Sequence, residues 1–169
     1  LSKMFAGLLC ETNDFIPFLI KLRSVASSSA SISEHINKGL QNSIENTSDV
    51  NWLEWAKEFR NRIPVIIMDG FDELMQTSNR ELNGYVDAIR EFQEKALNSG
   101  VCVRIILTSR ITVMQDVSIP EYTKIIKLDS FDVKRRDLWI RKWNTAQKKP
   151  KYKFAIPKND KIELLAKEP

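Results

Sequence analysis

Histidine, cysteine and glycine are scarce in this sequence, with one, two and five residues among 169. Neither Cys10 nor Cys102 has a second Cys or a His at metal-ligand spacing, which excludes a disulfide framework and a Cys/His zinc site. Cysteines so few, both in apolar surroundings, fit a reducing, cytoplasmic compartment. Asn46-Thr47-Ser48 matches a glycosylation acceptor, but so short a pattern arises by chance and nothing else points to secretion. Long apolar runs are absent too. The longest, such as Val65 to Met68, are strand-sized, whereas a bilayer span needs roughly 20 residues, so no membrane segment is expected. None of Gly7, Gly39, Gly70, Gly84 and Gly100 is followed by Lys, so the phosphate-binding pattern Gly-x-x-x-x-Gly-Lys-Ser/Thr is missing.

What is present suits one globular domain: 43% of the residues are hydrophobic. Leu1, Met4, Phe5, Leu8 and Leu9 follow helical spacing, so the chain is expected to open inside an amphipathic helix and the natural protein to continue upstream. A secretory signal fits this start poorly. Phe15 to Leu22 reads as a short outer strand, with Pro17 near its start. Ile32, Ile36 and Leu40 recur every four residues behind a cap at Ser31 or Ser33, and Trp52, Leu53, Ala56 and Phe59 outline a helix that must stop near Arg62, before Pro64. Val65 to Met68 reads as a central parallel strand. Leu82, Val86, Ile89, Phe92, Ala96 and Leu97 predict a long helix closed by Gly100, and Val103 to Leu107 the next strand. Ile125, Ile126 and Leu128 suggest a further short strand. Asp132 or Ser130 then caps a helix carrying Leu138, Trp139, Ile140 and Trp143, and Asn159 caps another through Ile162, Leu165 and Ala166. This alternation predicts an α/β sheet with helices on both faces, whose ligands bind beyond the carboxyl ends of the strands.

Three carboxylates crowd such an end in Asp69-Gly70-Phe71-Asp72-Glu73. Like charges this close repel, and a cation or hydrogen-bond donors are needed to keep them ionised. Mg²⁺ suits the task, because it takes one or two carboxylates and completes its shell with water and phosphate oxygens. Asp69 fits the metal ligand, and Asp72 or Glu73 the acid that positions or deprotonates an attacking water. The plainer alternative is a turn followed by acids at a helix N-terminus.

Residues 63 to 74, Ile-Pro-Val-Ile-Ile-Met-Asp-Gly-Phe-Asp-Glu-Leu, resemble the extended Walker B motif of NACHT domains, the ATPase modules of animal inflammasome receptors and bacterial anti-phage proteins. Arg104-Ile-Ile-Leu-Thr-Ser-Arg110 is similar to the family's sensor 1 strand, whose terminal Arg reads the γ-phosphate. Phe15 to Arg23 resembles the strand and basic residue that follow the first helix. Leu128-Asp-Ser-Phe131 and the Trp-bearing helix ending Lys142-Trp143-Asn144 look like the approach to the helical lid. Leu164-Leu-Ala-Lys-Glu-Pro169 is similar to the Gly-x-Pro segment near the adenine, with Lys167 where Gly is expected. The resemblance implies a P-loop NTPase sheet of the AAA-like kind, incomplete at its first strand, over residues 1–128, and the start of a lid over 129–169. It implies Mg²⁺ on Asp69, ATP or ADP near Thr108, Ser109, Arg110 and Pro169, and Asp72, ahead of Glu73, as the hydrolytic acid. The intact protein would be an ATPase switch in innate immune or anti-phage defence that self-oligomerises, with effector and sensor domains outside this chain. The missing P-loop is expected immediately before Leu1.

Net charge is +4 and the pI about 9.1, with much of the positive charge between Lys134 and Lys153. This stretch interleaves aromatics with cations, as single-strand nucleic-acid binders do, so a non-catalytic module contacting nucleic acid or an acidic partner is the competing reading. The expectation here is instead a lid helix with a solvated basic face. His35 reads as incidental on a surface helix, and Trp52, Trp55, Trp139 and Trp143 as packing residues.

Overall fold

Three strands paired in parallel organise the protein in a computed structural model that describes residues 1–25, 31–44, 51–59, 61–77, 82–114, 117–153 and 155. β1 (Phe15–Lys21), β2 (Ile63–Asp69) and β3 (Arg104–Leu107) lie in that order, so the β-branched run occupies the centre. Val65, Ile66, Ile67 and Met68 are all buried, as a parallel strand covered on both faces requires. Pro17, which has no N–H for a ladder, sits on the outer strand opposite Val65. The register runs from Phe15 beside Ile63 to Lys21 beside Asp69, and from Val65 beside Arg104 to Met68 beside Leu107. All three strands therefore end at one edge.

The chain divides into two compact units, Leu1–Thr123 and Lys124–Pro169. In the first, α1 (Ser2–Cys10) packs on β1 and β2. α2 (Leu22–Val25), α3 (Ile32–Ile44) and α4 (Trp52–Glu58) connect β1 to β2. α5 (Phe71–Thr77) and α6 (Leu82–Asn98) connect β2 to β3, and α7 (Ile111–Met114) follows. Ile32, Ile36 and Leu40 of α3, Phe71 and Leu74 of α5, and Tyr85, Ile89, Phe92 and Ala96 of α6 close over Phe18, Ile20, Ile66 and Met68. Each large aliphatic or aromatic side chain so buried stabilises the fold by about 1.5–3 kcal/mol.

The helix starts show why these segments begin where they do. Ser31 rather than Ser33 caps α3: its hydroxyl accepts the Glu34 N–H at 3.2 Å while the Glu34 carboxylate accepts the Ser31 N–H, a reciprocal capping box. The Asn51 side chain accepts the Leu53 N–H at 3.0 Å, and α4 stops at Glu58, ahead of the predicted limit at Arg62. At the end of α6, Gly100 takes a positive φ of 82° and Val101 N–H reaches back to the Ala96 carbonyl.

Four expectations are corrected. The predicted apolar stripe of α1 faces outward: Leu1, Met4, Phe5 and Leu8 are exposed and the buried residue is Ser2. Helical spacing fixed the helix but not the side that packs. His35 is fully buried, its Nδ1 3.1 Å from the Tyr85 hydroxyl, because α3 turns it toward α6. Ile125, Ile126 and Leu128 form no strand and are exposed; among the described residues, their own compact unit contains no strand for them to pair with. Trp52 and Trp55 do pack inside, but Trp139 and Trp143 are 42% exposed. The helix expected behind Asn159 falls outside the described residues.

In the second unit, α8 (Val133–Ala146) is capped by Asp132, whose carboxylate accepts the Arg135 N–H at 2.7 Å, which decides against Ser130. A short 3-10 turn follows at Pro150–Tyr152. Among the described residues, no helix is long and apolar enough to cross a membrane.

Candidate functional site

The carboxyl edge of the sheet gathers the acids predicted to carry chemistry. Asp69, the last residue of β2, is half-buried, and its Oδ1 accepts two hydroxyl hydrogen bonds, from Ser2 at 2.6 Å and from Thr108 at 2.8 Å. Ser2 arrives because α1 lies on β1 and β2 with its first turn at their carboxyl ends. Thr108 arrives because β3 runs parallel to β2 and ends beside it. Its backbone prolongs the ladder: Thr108 N–H donates to the Met68 carbonyl at 3.0 Å, and its carbonyl accepts the Phe71 N–H at 2.9 Å. The Thr108 hydroxyl also accepts the Gly70 N–H at 3.1 Å. Gly70 has φ +88°, a region side chains enter only with strain, and this turn lets α5 start at once.

Both remaining acids fall in the first turn of α5, where negative charge complements the helix N-terminus. Asp72 is buried, and its Oδ2 lies 3.1 Å from Nε of Arg110, which is itself largely exposed. Glu73 is exposed, its Oε2 3.8 Å from Nε of Arg23, the first basic residue after β1. A solvated pair at that distance contributes little stability. Its interest is positional, since it links α2 to α5.

Asp69, Thr108, Asp72 and Arg110 are thus brought together, with Glu73 on the next position of the same helical turn. The Ser109 hydroxyl bonds locally, to the Arg110 carbonyl at 3.2 Å, and reaches none of the acids. Pro169 lies outside the described residues. Sequence reading missed Ser2, since one hydroxyl at the head of an apolar helix carries no signal without its partner at position 69.

Among the described residues no group of three His, Cys, Asp or Glu side chains forms a cage for an ion. Mg²⁺ does not require one, because it keeps waters and phosphate oxygens beside one or two protein ligands. The Asp69 carboxylate and the Ser2 hydroxyl, 2.6 Å apart, are two hard oxygens of the type it takes. Arg110, largely exposed and held by Asp72, has the donor geometry for a phosphate.

Fold and site together define a mixed α/β protein with a small parallel three-stranded sheet, helices packed on it, and an acid cluster at its carboxyl edge. Comparison of the chain with protein-family models, curated proteins and solved structures finds no match.

Proposed function

We propose that this chain forms the metal-binding and hydrolytic part of an ATP-driven signalling switch of the NACHT class, with its phosphate-binding loop supplied from outside the 169 residues. One observation carries the reading: the Asp69 carboxylate at the end of the buried central strand receives the Ser2 hydroxyl from the first turn of a helix. P-loop ATPases hold Mg²⁺ between the Ser/Thr that ends the phosphate-binding loop at the head of a helix and an acid that ends a strand. Asp69 is such an acid, and the Ser2 contact sets the head of a helix, where a preceding loop would lead, against it. Mg²⁺, when bound, neutralises phosphate charge. Asp69 would hold it, while the Thr108 and Ser2 hydroxyls orient the carboxylate.

Arg110 and Asp72 then have linked roles. In this structure each is the other's partner. A γ-phosphate offers Arg110 a more highly charged partner, which would release Asp72 to orient or deprotonate the attacking water. Hydrolysis would return Arg110 to Asp72 and reset the switch. The ATP-bound form would self-oligomerise and engage effector and sensor domains outside this chain, in the manner of defence proteins.

The test uses a protein in which these residues continue from a P-loop. ATP·Mg²⁺ affinity is expected to fall about tenfold or more in Asp69→Asn, equivalent to about 1.4 kcal/mol. Asp72→Asn is expected to stop single-turnover hydrolysis with ATP binding retained, and Glu73→Gln to slow it less. A wild-type protein that neither binds nor hydrolyses ATP overturns the reading. Loss of turnover in Glu73→Gln alone reverses the two acids.

A further inference from the structure

In the second compact unit, the surface of α8 has a chemistry of its own. Arg135, Trp139 and Trp143 stand at intervals of four and so form one line along the helix, bordered by Arg136 and Lys142, with Asp137 on the far side. The two indole rings stack on each other with centroids 5.5 Å apart and planes 16° apart. Each Trp remains 42% exposed, and no residue of α8 is buried. A helix destined for a protein interior would cover its tryptophans first, because each can bury about 150–250 Å².

Charge is concentrated in the same place. Residues 124–155 hold eleven Lys and Arg against three Asp, a local charge of +8 in a chain whose total is +4, so the remainder is net negative. Two of these cations have acidic neighbours on the helix, Arg135 with Asp132 at 3.6 Å and Arg136 with Asp137 at 3.4 Å. The excess therefore resides mainly in the lysines on and beyond the helix. Lys148, Lys149, Lys151 and Lys153 extend it directly past the end of α8, with Lys148 and Lys149 exposed.

We infer that this face of α8 and the lysines after it bind single-stranded nucleic acid, with the cations along the phosphates and the paired indoles as a stacking platform for bases. Cations alone would suit any polyanion; exposed aromatic planes among them suit unpaired bases, whose faces are open to stacking. An anionic membrane is a poorer fit. The line of the rings begins with Arg135 and has cations at its borders, so it offers acyl chains no continuous apolar face.

The experiment measures fluorescence anisotropy of the 169-residue chain with a labelled oligothymidylate of about twenty nucleotides, together with quenching of tryptophan emission. Binding is expected to weaken roughly fifty-fold between about 50 and about 200 mM salt, as neutralisation of about four phosphates requires. Joint replacement Trp139→Ala and Trp143→Ala is expected to lower affinity about tenfold or more. The Trp139→Phe and Trp143→Phe pair, which keeps both aromatic planes and the packing, should retain most of the affinity. Replacing Lys148, Lys149, Lys151 and Lys153 by Gln should flatten the salt dependence. Heparin should compete without quenching the tryptophans, since it has no bases. The inference is overturned if the oligonucleotide does not bind, if binding survives the alanine pair unchanged with no quenching, or if phosphatidylserine vesicles bind and the oligonucleotide does not. The first of these leaves the ATPase reading intact, because that rests on the sheet edge.

Discussion

A single hydroxyl, that of Thr108, ties the end of β3 to both the carboxylate and the amide of the Asp69-Gly70 turn. Valine has nearly the same shape but neither donates nor accepts, so Thr108→Val leaves two partly buried polar groups each short of a partner. Such losses cost about 1–3 kcal/mol each where water cannot replace them, and this site is partly open. Unfolding free energy from urea titration is therefore expected to fall by about 1–2 kcal/mol in Thr108→Val, and by less in Thr108→Ser, which keeps the hydroxyl. Equal losses in the two variants would show that the methyl group, not the hydroxyl, matters. Asp69, Asp72, Glu73 and Arg110 were legible in the sequence because acids and an Arg directly after apolar strands have one place to go. Ser2 was not, since its partner lies 67 positions away. Nor was His35, whose burial depends on Tyr85, 50 positions on.

Helix α3 illustrates how an element is fixed at both its start and its packed face. The N–H of Ser31, then its hydroxyl, holds the Glu34 carboxyl below the usual glutamate range, with Lys38 assisting. A depressed folded-state value means that the stabilisation is present above the unfolded value and is lost as pH falls through the folded one. Ser31→Ala removes the hydroxyl but keeps the N–H, so it is expected to move the Glu34 titration only part of the way up toward the ordinary glutamate range, as read by NMR, and to weaken, not abolish, the acid-dependent fraying of the first turn of α3. A Glu34 titration unchanged by the substitution would contradict the capping box. Farther along, Gly39 faces β1, where an added Cβ would lie 2.9 Å from Ile20 Cγ1 and within 3.2 Å of two further Ile20 carbons. Gly84 of α6 has open space instead. Gly39→Val should therefore destabilise by about 1–3 kcal/mol through overpacking, whereas Gly84→Ala should stabilise by about 0.5–1 kcal/mol through helix propensity. Thermal melts of the two variants should move in opposite directions. The four-residue spacing of Ile32, Ile36 and Leu40 made α3 readable, and the β-branched run made β2 readable. The strand predicted at Ile125 to Leu128 is not formed; apolar residues need a partner strand, and among the described residues their own compact unit holds none.

At the scale of the first compact unit, an apolar stripe and the edges of the sheet stand open. The stripe of Leu1, Met4, Phe5 and Leu8 faces solvent, and among the described residues β1 and β3 are each paired on one side only. An uncovered apolar stripe and an open strand edge both favour association. The 169-residue chain is expected to sediment as a mixture of species and to show no ATP·Mg²⁺ binding by calorimetry, since it has no phosphate cradle. A monodisperse species that titrates with ATP at micromolar affinity would contradict both expectations. The parallel order of β1, β2 and β3 also has a kinetic consequence. Phe15 meets Ile63, 48 positions on, and Val65 meets Arg104, 39 positions on, so every pairing in the sheet is non-local. Loop-closure entropy must be overcome before either pairing forms, which places the chain among slow folders. During synthesis β2 can join β1 while β3 is still unmade. The nascent chain therefore passes through a stage at which the most apolar strand of the protein has one bare edge, and this is the stage at which a chaperone would be needed.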